Sequence, residues 1–200
     1  MEKDAHKYLS MEVQTEDKEM KATGIVRKID DLGRVVIPAE IRRTMRINKG
    51  DPLEIYTSDN QVIFQKYSSV ENMGAVVNGM LAPLYRIHKM PVIACDKDKV
   101  VAVKGIGKKE IVNRRVTDGF AEIMERRRVF AYDGNDDTLC NPVEGVERYA
   151  IACAPIVASG DVAGAILYLS MDNARLSPAS ETQIALVEFL AEYLGEQLGD

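Results

Sequence analysis

Lys21-Ala-Thr-Gly-Ile-Val-Arg-Lys-Ile-Asp-Asp-Leu-Gly-Arg-Val-Val-Ile-Pro-Ala-Glu-Ile-Arg-Arg-Thr-Met-Arg-Ile47 decides how the N-terminal part of the chain folds. Thr23–Ile29 is rich in β-branched residues and half-alternating, the pattern of a strand. Asp31-Leu32-Gly33 supplies a turn, with Gly33 free to take positive φ. Arg34–Ile37 reads as a second strand. Pro38 ends strand pairing and suits the first turn of a short helix from Ala39 to Met45. Glu40 lies early in that helix and Arg42, Arg43 and Arg46 late, matching the helix dipole.

Outward from this stretch, Gly50-Asp51-Pro52 makes a turn. Leu53–Thr57 and Gln61–Gln65 then pair as a hairpin around Ser58-Asp59-Asn60. Residues 21–67 thus form one strand-rich unit of 47 residues. A single chain of that size buries too little surface for comfortable stability, so its apolar strands ask for a partner. A dimer interleaving strands from two copies would supply the missing core.

Charge is unevenly spread. The whole chain of 200 residues is formally −5. Residues 1–20 carry three Lys and six acidic residues, and residues 68–200 carry fourteen basic and nineteen acidic ones. Residues 21–67 carry nine Lys/Arg against six Asp/Glu. A basic head on an acidic body can still hold a phosphate backbone, because salt screens beyond about 8 Å. Arg27, Arg34, Arg42, Arg43 and Arg46, with Lys28 beside them, gather around the first hairpin and short helix. Guanidinium forks suit phosphates and guanine edges. From the residues alone, ordinary solvated surface arginines and a DNA-contacting set both remain open.

Residues 21–47 closely resemble the AbrB/SpoVT family of bacterial transition-state and sporulation regulators. Leu32-Gly-Arg-Val-Val-Ile-Pro38 followed by Glu40-Ile-Arg-Arg43 carries the resemblance, and Asp51–Ile55 and the hairpin ending at Lys66-Tyr67 continue it. It implies an intertwined dimer of swapped hairpins forming a β-barrel, with Arg27, Arg34, Arg42 and Arg43 on double-stranded DNA and Lys28 beside them. It also implies control of sporulation genes, as activator, repressor or both.

Residues 68–200 read as an α/β domain. Helices are expected over Ser68–Lys89, Lys108–Glu125 and from Ser177-Pro178 almost to Asp200. Strands are expected over Pro91–Cys95, Val100–Val103, Val129–Tyr132, Tyr149–Val157 and Val162–Ser170. The element order resembles family members that carry a GAF-like sensor domain, less specifically than the head. The expected class is therefore α+β: a flexible arm over 1–20, a swapped-hairpin DNA-binding domain over 21–67 and a GAF-like domain over 68–200. Met20 is a second candidate for the translation start.

Two helices show a seam. Val70, Met73, Val77, Met80, Leu84 and Ile87 recur at alternating steps of three and four, as do Ile184, Val187, Ala191, Leu194 and Leu198. Such spacing suits a four-helix bundle across protomers, and with it a tetramer. For either helix alone it suits just as well a helix covering its own sheet; because both show it, the bundle is the expectation. A sheet flanked by helices and the loop Asp133–Glu147 can enclose an unidentified small molecule.

Other chemistry is poorly represented. Cys95, Cys140 and Cys153 show no metal or redox spacing and read as reduced thiols. His6 and His88 belong to no ligand pattern. Gly105-Ile-Gly107-Lys108-Lys109 lacks the spacing of a phosphate loop, and Arg126-Arg127-Arg128 reads as a solvated helix end. No catalytic constellation, metal site or cofactor site is expected. No apolar run approaches the roughly 20 residues of a membrane span. A cytoplasmic, nucleoid-associated protein is the expectation. The alternatives are an antitoxin-like DNA binder and a metabolite-binding regulator that does not touch DNA.

Overall fold

The computed structural model describes residues 22–171 and 176–199, so the expected arm over 1–20 lies outside the described residues. The chain divides into two compact units, one up to Asp51 and one from Pro52 onward.

In the first unit, Asp30 organises the turn. Its carboxylate accepts the backbone N–H of Leu32 and of Arg34 at 3.0 and 2.8 Å and pairs with the Arg34 guanidinium at 2.8 Å. Gly33 takes φ of 76°, as a residue without Cβ can. The flanking segments, expected as strands over Thr23–Ile29 and Arg34–Ile37, form no ladder within one chain. Val26, Leu32 and Val36 are 85%, 74% and 70% exposed, so these segments lie open along their apolar side. After Pro38, which caps it, helix α1 spans Ala39–Thr44.

The second unit opens with strands β1, Leu53–Ser58, and β2, Gln61–Lys66, paired antiparallel with Leu53 opposite Lys66 and Ile55 opposite Phe64. Only Tyr67 and Ser68 separate β2 from helix α2, Ser69–Asn72. Both residues are engaged: the N–H of Tyr67 donates to the carbonyl of Pro52, and the Ser68 hydroxyl accepts the N–H of Glu71 as the helix cap. Lys66 pairs with Asp98 and Lys99 with Glu71, at 2.5 and 2.7 Å. The β2–α2 junction is thereby fixed to the turn that carries Asp98 and Lys99.

The helix expected over Ser68–Lys89 is two helices. α2 ends at Met73, and α3 runs Gly74–His88 with Pro83 inside it. The expected Lys108–Glu125 helix is also divided, into α4, Lys108–Ile111, and α5, Asp118–Glu125. Between them Lys99 bridges Arg115 and Val116 bridges Val143. Thr117 then caps α5 by accepting the N–H of Phe120.

Strands β3 (Val92–Asp96), β4 (Val100–Lys104), β5 (Phe130–Ala131), β6 (Ala150–Ala158) and β7 (Asp161–Leu169) build one antiparallel sheet, ordered β4-β3-β7-β6-β5. Its residues alternate between two cores. Ala94, Ala154, Ile166 and Tyr168 meet α3 and the last helix, α6 (Glu181–Gly199). Cys95, Cys153, Ala165 and Leu167 meet Ile111 of α4 and Phe120 and Met124 of α5. Because both faces are covered, β3 is buried throughout.

α6 begins at Glu181, later than the expected Ser177-Pro178 start. Its cap is Ser180, whose hydroxyl accepts the N–H of Gln183, while the Gln183 side-chain oxygen accepts the N–H of Ser180 at 2.8 Å. This reciprocal capping box is written in the sequence as Ser180-x-x-Gln183. Further along, α6 lies so close to β6 that a Cβ on Gly195 would strike the Val157 carbonyl oxygen.

Candidate nucleic-acid interface

Arg27, Lys28, Arg34, Arg42 and Arg43 are all exposed. Arg27 and Lys28 precede the Asp30–Gly33 turn and Arg34 follows it. Arg42 and Arg43 occupy the last turn of α1. Arg34 is already half committed: the Asp30 carboxyl is held below the usual aspartate range, first by the Arg34 backbone N–H and then by its guanidinium. Asp30 thus fixes where the Arg34 fork points. The sequence held both residues, yet only the turn geometry reveals the pair. Arg46 is half-buried with φ of 50° and belongs to the end of α1.

The seam residues are placed differently from the bundle expectation. Val70, Val77, Leu84, Val187, Ala191 and Leu194 are buried against their own sheet. Met73, Met80, Ile184 and Leu198 are half-buried against the same core, and only Ile87 is exposed. The three-four spacing marks an apolar face without saying what covers it. Most of that face is spent inside the domain. The apolar residues these helices leave outward are Val76, Ile87, Phe189 and Tyr193, and three of these four lie outside the seam.

The weaker motifs resolve into structure. Gly107 leads into the single turn of α4 as an ordinary connection. Arg126 caps α5, and Arg127 takes φ of 55° and reaches Asp161 at 3.7 Å. His88 Nδ1 lies 3.0 Å from the Tyr168 hydroxyl, and burial pushes that hydroxyl up to about 12. His6 lies outside the described residues. All three cysteines are free; burial raises the Cys95 and Cys153 thiols far above their ordinary range and Cys140 to about 11. Such thiols are protonated and unreactive at neutral pH. Among the described residues no group of three His, Cys, Asp or Glu can hold a metal ion, and no helix is long and apolar enough to cross a membrane.

Comparison with known proteins adds identity to this geometry. Residues 26–71 match the model of the antidote-toxin recognition protein MazE, a bacterial antitoxin family, and residues 72–199 match the stage V sporulation protein T C-terminal transcription-factor family. Stage V sporulation protein T of Bacillus subtilis is 41% identical over 182 residues, covering 90% of this chain and 99% of the relative. The transition state regulatory protein AbrB of the same organism is 57% identical over 60 residues, 30% of this chain and 60% of AbrB. The solved N-terminal DNA recognition domain of Bacillus subtilis AbrB is 61% identical, covering 24% of this chain and 92% of that one, with a TM-score of 0.22. A GAF domain from a Coxiella burnetii phosphoenolpyruvate-protein phosphotransferase is 15% identical, covers 63% of this chain and 82% of that one, and gives a TM-score of 0.48.

The matches and the two-part architecture define a DNA-binding transcription regulator, not an enzyme: an AbrB-like head followed by an α/β domain of the stage V sporulation protein T C-terminal family. More narrowly, the chain belongs to the stage V sporulation protein T family.

Proposed function

We propose that two copies of this chain pair through residues 21–67 and grip double-stranded DNA with Arg27, Lys28, Arg34, Arg42 and Arg43, regulating sporulation genes. The observation that carries this reading is the apolar surface left open in one chain. Val26, Leu32 and Val36 are open, and so are Ile55, Val62 and Phe64, with Ile55 and Phe64 directly paired across β1–β2. Monomers rarely leave so many large apolar side chains of one short stretch of chain in water. Pairing covers it, completes the strands over 23–29 and 34–37, and doubles every basic residue across a two-fold axis.

Outward-facing Val76, Ile87, Phe189 and Tyr193 support a second contact, between bodies, which would make a tetramer. Two DNA-gripping ends in one assembly raise effective affinity without new contacts. The body is also the place for a small-molecule signal, and the cytoplasm, on the nucleoid, is where such a protein works. An antitoxin role draws support from the match at 26–71 alone. The deciding experiment is a footprint of the purified full chain on genomic fragments at several salt concentrations. Discrete protected sites that fade as salt rises are expected. Uniform absence of protection at low salt refutes DNA binding.

A further inference from the structure

A cavity of about 150 Å³ opens at the N-terminal end of α6. Its walls include Met90, Ile151, Met171, Leu176, Pro178 and Gln183. A Cβ on Gly134, at the start of the long loop, would lie 3.2 Å from Pro178 Cγ, so the loop runs close to one of the cavity's wall residues.

Gln183 is the unusual wall. It is only 6% exposed. Its side-chain oxygen is taken by the Ser180 N–H and hydroxyl, which fixes the orientation of the amide. The amide nitrogen therefore faces away from Ser180, and its partner is the thioether sulfur of Met90 at 2.8 Å. A primary amide has two N–H donors, and a thioether is a weak acceptor. A buried donor so poorly paired is costly unless something else accepts from it.

The surrounding potential selects the acceptor. Gln183 stands in the first turn of a 19-residue helix, where the macrodipole favours negative charge. Arg148 places one guanidinium nitrogen 2.6 Å from the carbonyls of both Ser170 and Met171, beside the same wall. Glu181, in the same turn, is exposed. The remaining walls are mostly hydrocarbon and sulfur, with Ser170 and Ser177 among them. A cavity of this volume holds roughly six to eight non-hydrogen atoms.

We propose that this cavity binds a short aliphatic carboxylate, whose carboxyl group accepts from the Gln183 amide while its hydrocarbon lies against Met90, Ile151, Leu176 and Pro178. The proposal gives the small-molecule signal of the preceding section a place and a chemistry, and it rests on that reading only for its regulatory consequence.

The full chain, labelled with ¹³C at its methionine methyls, tests this directly. Nine methionines give a sparse spectrum, and Met90→Leu and Met171→Leu assign the two reporters. The probe is isovalerate, of about seven non-hydrogen atoms, with neutral isovaleramide and long-chain decanoate as controls. Saturable shifts of Met90 and Met171 with a Kd on the order of 1 mM are expected for isovalerate, given the affinity open to so small a ligand. Isovaleramide should bind about tenfold or more weakly, and decanoate should not enter. Gln183→Glu keeps the capping box, because Glu serves equally at that position. It replaces the amide donor with a carboxyl group, so binding should fall at least about tenfold, with circular dichroism confirming that the variant is folded.

No methionine shift at about 50 mM isovalerate, a concentration well above that Kd, overturns the site. Equal binding of isovaleramide, or full binding by Gln183→Glu, overturns the carboxylate assignment. Band shifts with and without isovalerate separate the two levels. Methionine shifts with unchanged DNA affinity leave the site standing and remove its regulatory role. Loss of DNA binding in every condition refutes the DNA-binding reading and leaves the methionine result as the judge of the site.

Discussion

Replacing Arg34 by Ala should change how DNA binding responds to salt, not merely how tight it is. Five exposed basic positions per chain are the proposed DNA contacts of the head, and a two-fold pair presents each twice. If all ten neutralise phosphates, log K falls against log salt with a slope of about −9, at roughly −0.9 per phosphate. Removing Arg34 removes two contacts per pair and brings the slope to about −7. The difference of about 1.8 has a direct consequence: between 50 and 200 mM salt the deficit of the variant should shrink about twelvefold, since four raised to 1.8 is about 12. The assay is a band-shift or fluorescence-anisotropy titration of full-length protein at four salt concentrations, with circular dichroism confirming that both proteins stay folded. The ion pair with Asp30 sharpens the comparison. Asp30 keeps its backbone bonds to Leu32 and Arg34 in the variant, so the turn persists while the guanidinium is gone. Parallel lines for the two proteins would refute a phosphate contact by Arg34, whatever their vertical separation.

Three further outcomes follow from the packing and the charges. Phe189→Ser with Tyr193→Ser should lower the mass seen by light scattering from a tetramer to a dimer without unfolding; an unchanged mass refutes a body contact through α6. Gly195→Ala should cost about 1–3 kcal/mol, because a new methyl group meets backbone and not a yielding side chain. For a chain of this size that is a fall of roughly 2–4 °C in Tm per kcal/mol by calorimetry, and an unchanged Tm refutes the close approach. Asp30→Asn should be less stable than the parent at neutral pH. Because the folded-state carboxyl titrates below its usual 3.8, its contribution is complete above that value and fades as pH falls through the lower folded value. Thermal melts of the two proteins should therefore converge as the solution is acidified; a gap that stays constant as pH falls ever further below the usual aspartate value refutes the mechanism.

What could be read from the residues follows how local the deciding interaction is. The β1–β2 and β6–β7 hairpins are legible because alternation and a turn lie within a few residues of each other. α1 is legible because Pro38 announces it. The break at Met73 depends on how Val70 and Val77 both reach the same core, which periodicity does not record. The division of α4 from α5 depends on pairings of Arg115 and Val116 with Lys99 and Val143, distant in sequence. The start of α6 was legible, since Ser180-x-x-Gln183 is a better cap signal than Ser177-Pro178. The seam is the instructive case. Val187, Ala191 and Leu194 have the spacing of an assembly surface, and they are core. Deleting 185–200 would thus empty the domain interior before it tested any contact between copies. In the head the basic residues are legible individually, whereas the restraint of Arg34 by Asp30 appears only once the turn is closed.

The short passage from β2 into α2 has a mechanical meaning. Its two residues are each pinned, and ion pairs to Asp98 and Lys99 brace it from the side. A loose tether of many glycines and serines would let the hairpin swing free of the sheet that follows it. This junction does not: β1 and β2 ride as a rigid outrigger on the five-stranded sheet, and swinging them away would first break the Lys66–Asp98 pair.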